Sequence, residues 1–291
     1  MSRQPSAFRF VIPPRPEVLV KINQLLKAED PNITTISTLI KQDAALYSAV
    51  LSTINSAAFS LVQRVTSIEH AVSLLGTGRL YNIVRLSALK NSLSTRCTLE
   101  RFWDSATEIA QLCCFIARHF SALDNEDAYT LGMLHDCGIP LILAEDESFK
   151  SMLQQLNTLP IHQIEQAQLK AYGTSHFRLG GKMLSDWGFS EDLSTAVAAQ
   201  PHFQQVLAQP VDERETMRFG LSCLTLARDI SNSYRRYWRM TDRTTQLHEL
   251  DAALKFLGLT DIDYLDLRED CADWLESVSY THLRAHETSL H

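Results

Sequence analysis

Apolar residues recur at helical spacing along the chain, and this periodicity limits its fold more than any other sequence feature. Val18, Leu19, Ile22, Leu25 and Leu26 occupy positions i, i+1, i+4, i+7 and i+8, which lie on one face of a helix. The first hundred residues contain no alternating pattern of the kind that indicates a half-exposed strand. Only 10 Gly and 9 Pro interrupt the 291 residues, whereas sandwiches and barrels need many turn residues. The chain is therefore predicted to be all-α.

Capping residues predict where several of these helices begin and end. Asp43 is predicted to cap a helix with an apolar stripe of Leu46, Val50, Leu51 and Ile54. Thr66 and Glu69 fit a capping box that opens the next helix, and Gly76 is expected to end it. That helix carries the apolar residues Ala71, Val72, Leu74 and Leu75. Ahead of the first helix, Phe8–Pro16 is expected to lie extended against the body of the protein.

A polar segment at residues 91–100 divides the predicted helices into two lobes. Residues 8–205 are predicted to form one domain, with an N-terminal lobe up to residue 98 and a second lobe from residue 99. Residues 206–277 are predicted to be a C-terminal helical extension. Residues 278–291 change in character and contain three of the ten His residues, and they are predicted to be a non-native or disordered tail.

The charge of the chain argues against nucleic acid as a partner. Lys and Arg number 27 against 34 Asp and Glu, which gives a formal net charge of -7. Broad nucleic-acid binding depends on the neutralisation of phosphates by basic side chains. One basic cluster, Tyr234–Arg239, interleaves aromatic and cationic residues, and it is interpreted as the polar end of a helix.

Cysteine usage and hydropathy favour a cytoplasmic protein. The six Cys residues include no CxxC pair, so we expect reduced, mostly buried thiols in a reducing compartment. The segment Met1–Pro5 opens without an apolar signal-peptide core. No apolar run reaches the ~18 residues that would predict a membrane span.

The motif with the clearest chemical content is His135–Asp136, at the end of an apolar predicted helix. An imidazole and a carboxylate together suit Fe, Mn or Zn. Two ligands cannot close a hydrolytic site, because further ligands from neighbouring helices are needed to fix the geometry and activate water.

Several segments resemble, in order and in spacing, the motifs of the HDOD family, and the resemblance extends over roughly residues 8–202. The matching segments are Ile12–Val18, Asp43–Leu46, Ile54–Phe59, Thr66–Gly76, the His135–Asp136 region, Ser175–Phe177 and Asp186–Phe189. The resemblance implies a two-lobed, all-α fold in which the second lobe is related to the HD phosphohydrolases.

Those enzymes hold metal with one His, the HD pair and a distant Asp, and the resemblance implies an altered set in this chain. Asp104 stands where the first His is expected. The distant Asp position aligns with Thr225, and a shift in register would bring in Asp229 instead. His176 resembles an additional ligand of some two-metal relatives.

The resemblance therefore implies a remnant pocket of Asp104, His135, Asp136 and His176, with no catalytic residue and no cofactor. A changed ligand typically weakens metal binding by ~10–100-fold. If the site were active, His135 and Asp136 would bind Fe, Mn or Zn, with Asp104 and His176 as further candidate ligands.

We accordingly expect a non-catalytic regulatory module of bacterial signal transduction, whose helical scaffold binds a protein partner or a small signalling ligand such as a nucleotide second messenger. The alternative is a metal-dependent phosphohydrolase acting on a phosphoester or a cyclic nucleotide. A nucleic-acid-binding regulator would depend on Arg235, Arg236 and Arg239 alone.

Overall fold

The computed structural model of the chain describes residues 8–28, 31–94, 100–120, 123–156, 159–210, 215–235 and 243–288. For residues 100, 232–235, 243–246 and 278–288 it describes the backbone alone. Within these ranges the backbone forms α-helices, two short 3₁₀ turns and no strand, which confirms the all-α prediction. The helices are α1 (Glu17–Leu26), α2 (Ile33–Lys41), α3 (Ala44–Ile54), α4 (Ile68–Ser94), α5 (Glu100–Phe120), α6 (Asn125–Leu134), α7 (Ile139–Glu145), α8 (Phe149–Leu156), α9 (Ile161–Tyr172), α10 (His176–Asp186), α11 (Glu191–Ala199), α12 (Phe203–Leu207), α13 (Glu215–Arg235), α14 (Arg243–Leu257) and α15 (Asp261–Thr288).

The first lobe consists of α1–α4, with α4 packed against the other three helices. Asp43 caps α3 as predicted, because its carboxylate accepts a hydrogen bond from the Leu46 backbone N–H at 2.9 Å. Gly76 interrupts α4 as predicted, with φ 79° and ψ 168°. This left-handed conformation is one that glycine adopts without steric cost.

One local prediction in this lobe, the capping box, is wrong. Ser67, and not Thr66, caps α4, since its hydroxyl accepts from the His70 backbone N–H at 3.1 Å. Glu69 reaches α2 instead of closing a capping box, and accepts from Ser37 Oγ at 2.5 Å. Leu74, one of the apolar residues of this helix, is 50% exposed, because the packing of α4 on its neighbours leaves it uncovered.

The second lobe is organised around α5 and α6. These helices approach closely at Gly132, where a Cβ would overlap the backbone of Ala110. Helix α13 packs against α5, α6 and α11, so it contributes to this lobe although it lies beyond residue 205. The predicted domain boundaries stay predictions.

An extended N-terminal segment and a loop of the second lobe hold the two lobes together. Trp187 Nε1 donates to the Pro13 carbonyl at 2.8 Å. Arg85 of α4 donates to the Gly188 carbonyl, and its guanidinium lies 4.3 Å from the ring centroid of Phe189. Two segments of the HDOD resemblance, residues 12–18 and 186–189, thus meet each other.

The remaining predictions concern the cysteines and the C-terminal part of the chain. The described cysteines, which are Cys113, Cys114, Cys137, Cys223 and Cys271, are buried and free. The side chains of the basic cluster Tyr234–Arg239 lie outside the described residues. Helix α15 continues to Thr288, and the origin of residues 278–291 stays a prediction. Among the helices that the structure describes, none is long and apolar enough to cross a membrane.

Candidate functional site

The His135–Asp136 pair lies in a tight turn between α6 and α7. The turn is held by backbone hydrogen bonds from Cys137 N to Leu134 O at 3.0 Å and from Ile139 N to Asp136 O at 2.9 Å. Helix α7 follows at once, with a proline in its first turn, where a missing N–H costs little. The pair is therefore fixed by the backbone at the point where two helices meet.

Side chains from two other helices converge on the carboxylate of Asp136. His135 Nε2 lies 3.2 Å from Oδ2, and His176 Nε2, from the first residue of α10, lies 3.3 Å from Oδ1. Arg228 of α13 donates from Nη1 to the same Oδ1 at 3.2 Å. The Asp136 side chain is 19% exposed and that of Arg228 is 23% exposed, so the cluster lies close to the surface.

The orientation of both imidazole rings is set by oxygen acceptors on their far side. His135 Nδ1 donates to the Gly132 carbonyl at 2.6 Å. His176 Nδ1 lies 2.9 Å from Gln168 Oε1, which also accepts from the His176 backbone N–H at 2.9 Å. Each ring therefore presents Nε2 to Asp136.

Burial and the neighbouring charges together shift the pKa values of Asp136 and His176. Burial alone raises the pKa of Asp136, but the charges of His135 and Arg228 and the hydrogen bonds from both histidines outweigh it and hold the pKa well below its usual range. Burial lowers the pKa of His176, and the neighbouring Asp136 carboxylate only partly opposes that shift. Asp136 is thus a stable carboxylate anion at neutral pH.

Asp104 is not part of this cluster. It is exposed on α5, and its charge acts on Lys90 of α4, where it opposes the lowering of the pKa of Lys90 by burial. In the described part of the chain, no hydrogen bond or ion pair joins Asp104 to His135, Asp136 or His176. The structure therefore brings together three of the four predicted pocket residues.

The two candidates for the distant ligand are engaged in other hydrogen bonds. The Thr225 hydroxyl donates to the Leu221 carbonyl within α13 at 2.8 Å. Asp229 accepts a hydrogen bond from the Tyr264 hydroxyl, which ties α13 to α15.

The residues present do not fit the four-ligand metal set of the HD phosphohydrolases. Among the described residues, no group of three or more His, Cys, Asp and Glu side chains is arranged to hold a metal ion. The guanidinium of Arg228 also bonds to the carboxylate at 3.2 Å. A fixed positive charge there repels a divalent cation by on the order of several kcal/mol at the effective dielectric of a protein surface.

Sequence reasoning missed Arg228 and the residues that support it. Arg228 lies three residues after Thr225, so both are on the same face of α13, and this spacing is the signal that could have identified it. Gln200, 2% exposed, donates to the His135 carbonyl at 2.7 Å. Neither its position nor that of Gln168 carries a recognisable sequence signal.

A buried carboxylate supports the cluster from the side of α9. Glu165 accepts from Ser175 Oγ at 3.2 Å and from Arg178 Nε at 2.9 Å, and its Oε2 lies 2.9 Å from His202 Nε2. Ser175 caps α10 through the Arg178 backbone N–H. The network fixes the start of α10, from which His176 projects.

The described helices define the chain as an all-α protein, with the HD pair in the turn between α6 and α7. The model of the HDOD domain matches residues 12–203, more than half of the chain. The chain belongs to the HDOD family. A curated relative, an uncharacterised protein of Treponema pallidum (strain Nichols), is 24% identical over 194 residues, which cover 64% of this chain and 37% of that protein.

Solved structures share the fold along nearly the whole chain. An HDOD domain protein of unknown function from Geobacter sulfurreducens is 21% identical with a TM-score of 0.64, and the match covers 92% of this chain and 91% of that one. A candidate phosphohydrolase from Shewanella amazonensis SB2B gives the same identity and TM-score over 90% of each chain. A candidate metal-dependent phosphohydrolase from the same organism is 18% identical with a TM-score of 0.57, over 91% of this chain and 92% of that one. Identities this low indicate a shared fold alone.

Proposed function

We propose that the chain is a non-catalytic regulatory module whose helical scaffold binds a protein partner or a small signalling ligand. The observation that carries the proposal is the incomplete set of metal ligands around Asp136. Asp104 acts on Lys90, Thr225 bonds within its own helix and Asp229 bonds to Tyr264. Hydrolysis by an HD site needs a metal-activated water, for which the geometry must be fixed by enough ligands.

A groove between the lobes supports the binding part of the proposal. It has a volume of about 410 Å³ and is lined by apolar side chains, by Arg79 and Arg118, and by Asp124, Asn125 and Glu126. Glu126 is 4% exposed, and its Oε2 is buried without a hydrogen-bond partner. Buried polar atoms are normally hydrogen-bonded, so Glu126 Oε2 is an unused acceptor that suits a ligand with an N–H donor. Arg79 is already paired with Asp124 at 3.3 Å and with Glu126 at 3.5 Å, and Arg118 donates to the Ala58 carbonyl.

The proposal includes a cytoplasmic location and a role in bacterial signal transduction. Free, buried thiols at the five described cysteines are typical of proteins kept in a reducing compartment. With a net charge of -7, a protein or a nucleotide is a better partner than a nucleic acid.

A metal-dependent phosphohydrolase is the second candidate, and one observation favours it. The Nε2 atoms of His135 and His176 both face the Asp136 carboxylate, at 3.2 and 3.3 Å. Their Nδ1 atoms face oxygen acceptors, which is the orientation that such acceptors impose on metal-ligating histidines.

The experiment compares the wild-type chain with Asp136→Ala and His135→Ala. Each protein is assayed for hydrolysis of p-nitrophenyl phosphate, bis(p-nitrophenyl) phosphate and cyclic nucleotides in the presence of Mn²⁺, Fe²⁺ or Zn²⁺. We expect no turnover above that of the variants. In a second arm, calorimetric titration of the wild type with mononucleotides and cyclic dinucleotides is compared with Glu126→Gln, which keeps the shape and removes the charge. Metal-dependent turnover that is lost in both site variants would establish the phosphohydrolase instead.

A further inference from the structure

Arg228 is held on the Asp136 carboxylate by a second, independent contact. Its Nη1 also donates to Gln200 Oε1 at 2.7 Å. The amide of Gln200 is oriented by its own donors, because Nε2 donates to the His135 carbonyl at 2.7 Å and to the Val197 carbonyl at 3.0 Å. Gln200 must therefore present Oε1 to Arg228, and its burial leaves little room for another orientation.

Arg228 contacts the Asp136 carboxylate, which a metal ion would need as a ligand. Oδ1 of Asp136 faces both Arg228 Nη1 and His176 Nε2, at 3.2 and 3.3 Å. A guanidinium carries its charge at any pH at which the protein is folded, and it cannot leave the site by dissociation because it is attached to α13. The positive charge of Arg228 therefore neutralises the Asp136 carboxylate without any ion from solution.

The position of Arg228 on its helix is consistent with this role. Thr225, which aligns with the distant ligand of the metal-binding relatives, lies three residues earlier on the same face of α13. The same helix face therefore lacks a carboxylate at one position and supplies a cation one turn later.

We propose that Arg228 is a tethered cation that occupies the charge position of the missing metal and thereby excludes divalent ions from the site of His135, Asp136 and His176. The inference rests on the proposed loss of the metal set, and it goes beyond that loss by assigning the exclusion to one side chain. In the present arrangement His135, Asp136 and His176 do not form a metal site. Replacing this arginine by a neutral residue removes the repelling charge and is expected to let the two imidazoles and the carboxylate close on a divalent ion, a donor set that suits Fe, Mn, Co or Zn.

The test is a titration with Co²⁺, whose absorption spectrum reports nitrogen ligands directly. Wild type, Arg228→Met, Arg228→Gln and Arg228→Lys are titrated, and bound metal is measured after dialysis. Arg64→Met removes one positive charge from an exposed loop and is the matched control. The double variants Arg228→Met/Asp136→Asn and Arg228→Met/His176→Ala identify the ligands.

We expect Arg228→Met and Arg228→Gln to bind about one equivalent of Co²⁺ at least ~10-fold more tightly than the wild type, since a single change near a metal typically alters affinity by 10–100-fold. Arg228→Lys and Arg64→Met should behave as the wild type, and both double variants should lose the gain. Circular dichroism shows which of the two neutral variants is folded. If a folded neutral variant does not bind Co²⁺ more tightly than the wild type, this inference is overturned and the proposed function stays intact. Equally tight binding by the wild type also overturns it, whereas the proposed function is decided by turnover and not by binding.

Discussion

At the scale of single residues, the site depends on a glycine that lets the HD turn approach α10. A Cβ on Gly138 would overlap the carbonyl group of His176 and approach Gly180 N to 2.9 Å. Glycine is thus required by close approach and not by its backbone angles, since its φ of -76° is open to any residue. The distance between Asp136 and His176 follows from this contact.

Gly138→Ala is therefore expected to destabilise the protein. Overlap of the new methyl group with backbone atoms should lower the free energy of unfolding by roughly 1–3 kcal/mol, measured by urea denaturation. Gly78→Ala is the matched control, because nothing lies within 4 Å of the corresponding Cβ, and it should be neutral or stabilise the helix by up to ~1 kcal/mol. Equal stability of Gly138→Ala and wild type would contradict the close approach.

At the scale of elements, Glu69 joins the first turn of α4 to α2. Hydrogen bonds from the Ser37 hydroxyl, from the backbone at the start of α4 and from Lys41 lower the pKa of Glu69 from 4.5 to about 2. Its side chain is 45% exposed, so solvent screens much of this interaction. The contact ties Ser37 and Lys41 of α2 to the first turn of α4.

The sign of the pH dependence follows from the lowered pKa. A carboxyl group with a lower pKa in the folded state contributes its full stabilisation above 4.5, and the contribution is lost as the pH falls through about 2. We expect Glu69→Gln to be less stable than the wild type by up to about 1 kcal/mol at pH 7, and the difference to shrink between pH 5 and pH 2. Urea denaturation at a series of pH values measures it, with the exposed Glu147→Gln as control. A difference that is constant with pH would show that the ion pair and hydrogen bonds contribute nothing.

At the scale of the whole molecule, the two lobes are joined through buried polar contacts. Arg85 is 9% exposed, and burial lowers the pKa of its guanidinium. It donates to the Gly188 carbonyl and to Asn82 Oδ1, the latter at 2.6 Å. Because Trp187 also binds the N-terminal segment at Pro13, the loop at 186–189 contacts both that segment and α4.

Arg85→Met should loosen this connection. The variant keeps an apolar stem on Phe189 but leaves the Gly188 carbonyl without its donor, which typically costs about 1–3 kcal/mol. We expect a lower melting temperature and a broader calorimetric transition, because the lobes would unfold less cooperatively. Arg64→Met removes an exposed arginine and should leave the transition unchanged. A single sharp transition at the wild-type temperature in Arg85→Met would rule out the role of this contact.

The sequence alone determined the helical elements and the position of the HD pair. The apolar stripe predicted from Val18 to Leu26 lies in α1. The cap at Asp43 and the break at Gly76 were also predicted correctly. These features depend on neighbours within one or two turns of the chain, so their physical causes, which are apolar spacing, capping and glycine conformation, are visible in local sequence.

Only the tertiary structure decided which side chains meet. Asp136 and Arg228 are 92 residues apart in the chain, and whether Thr225, Arg228 or Asp229 faces the HD turn depends on the rotation of α13 about its axis. The partner of Glu69 and the exposure of Leu74 likewise depend on how α4 lies on its neighbours. Helix rotation and packing are set by the fit of whole surfaces, which local spacing does not encode.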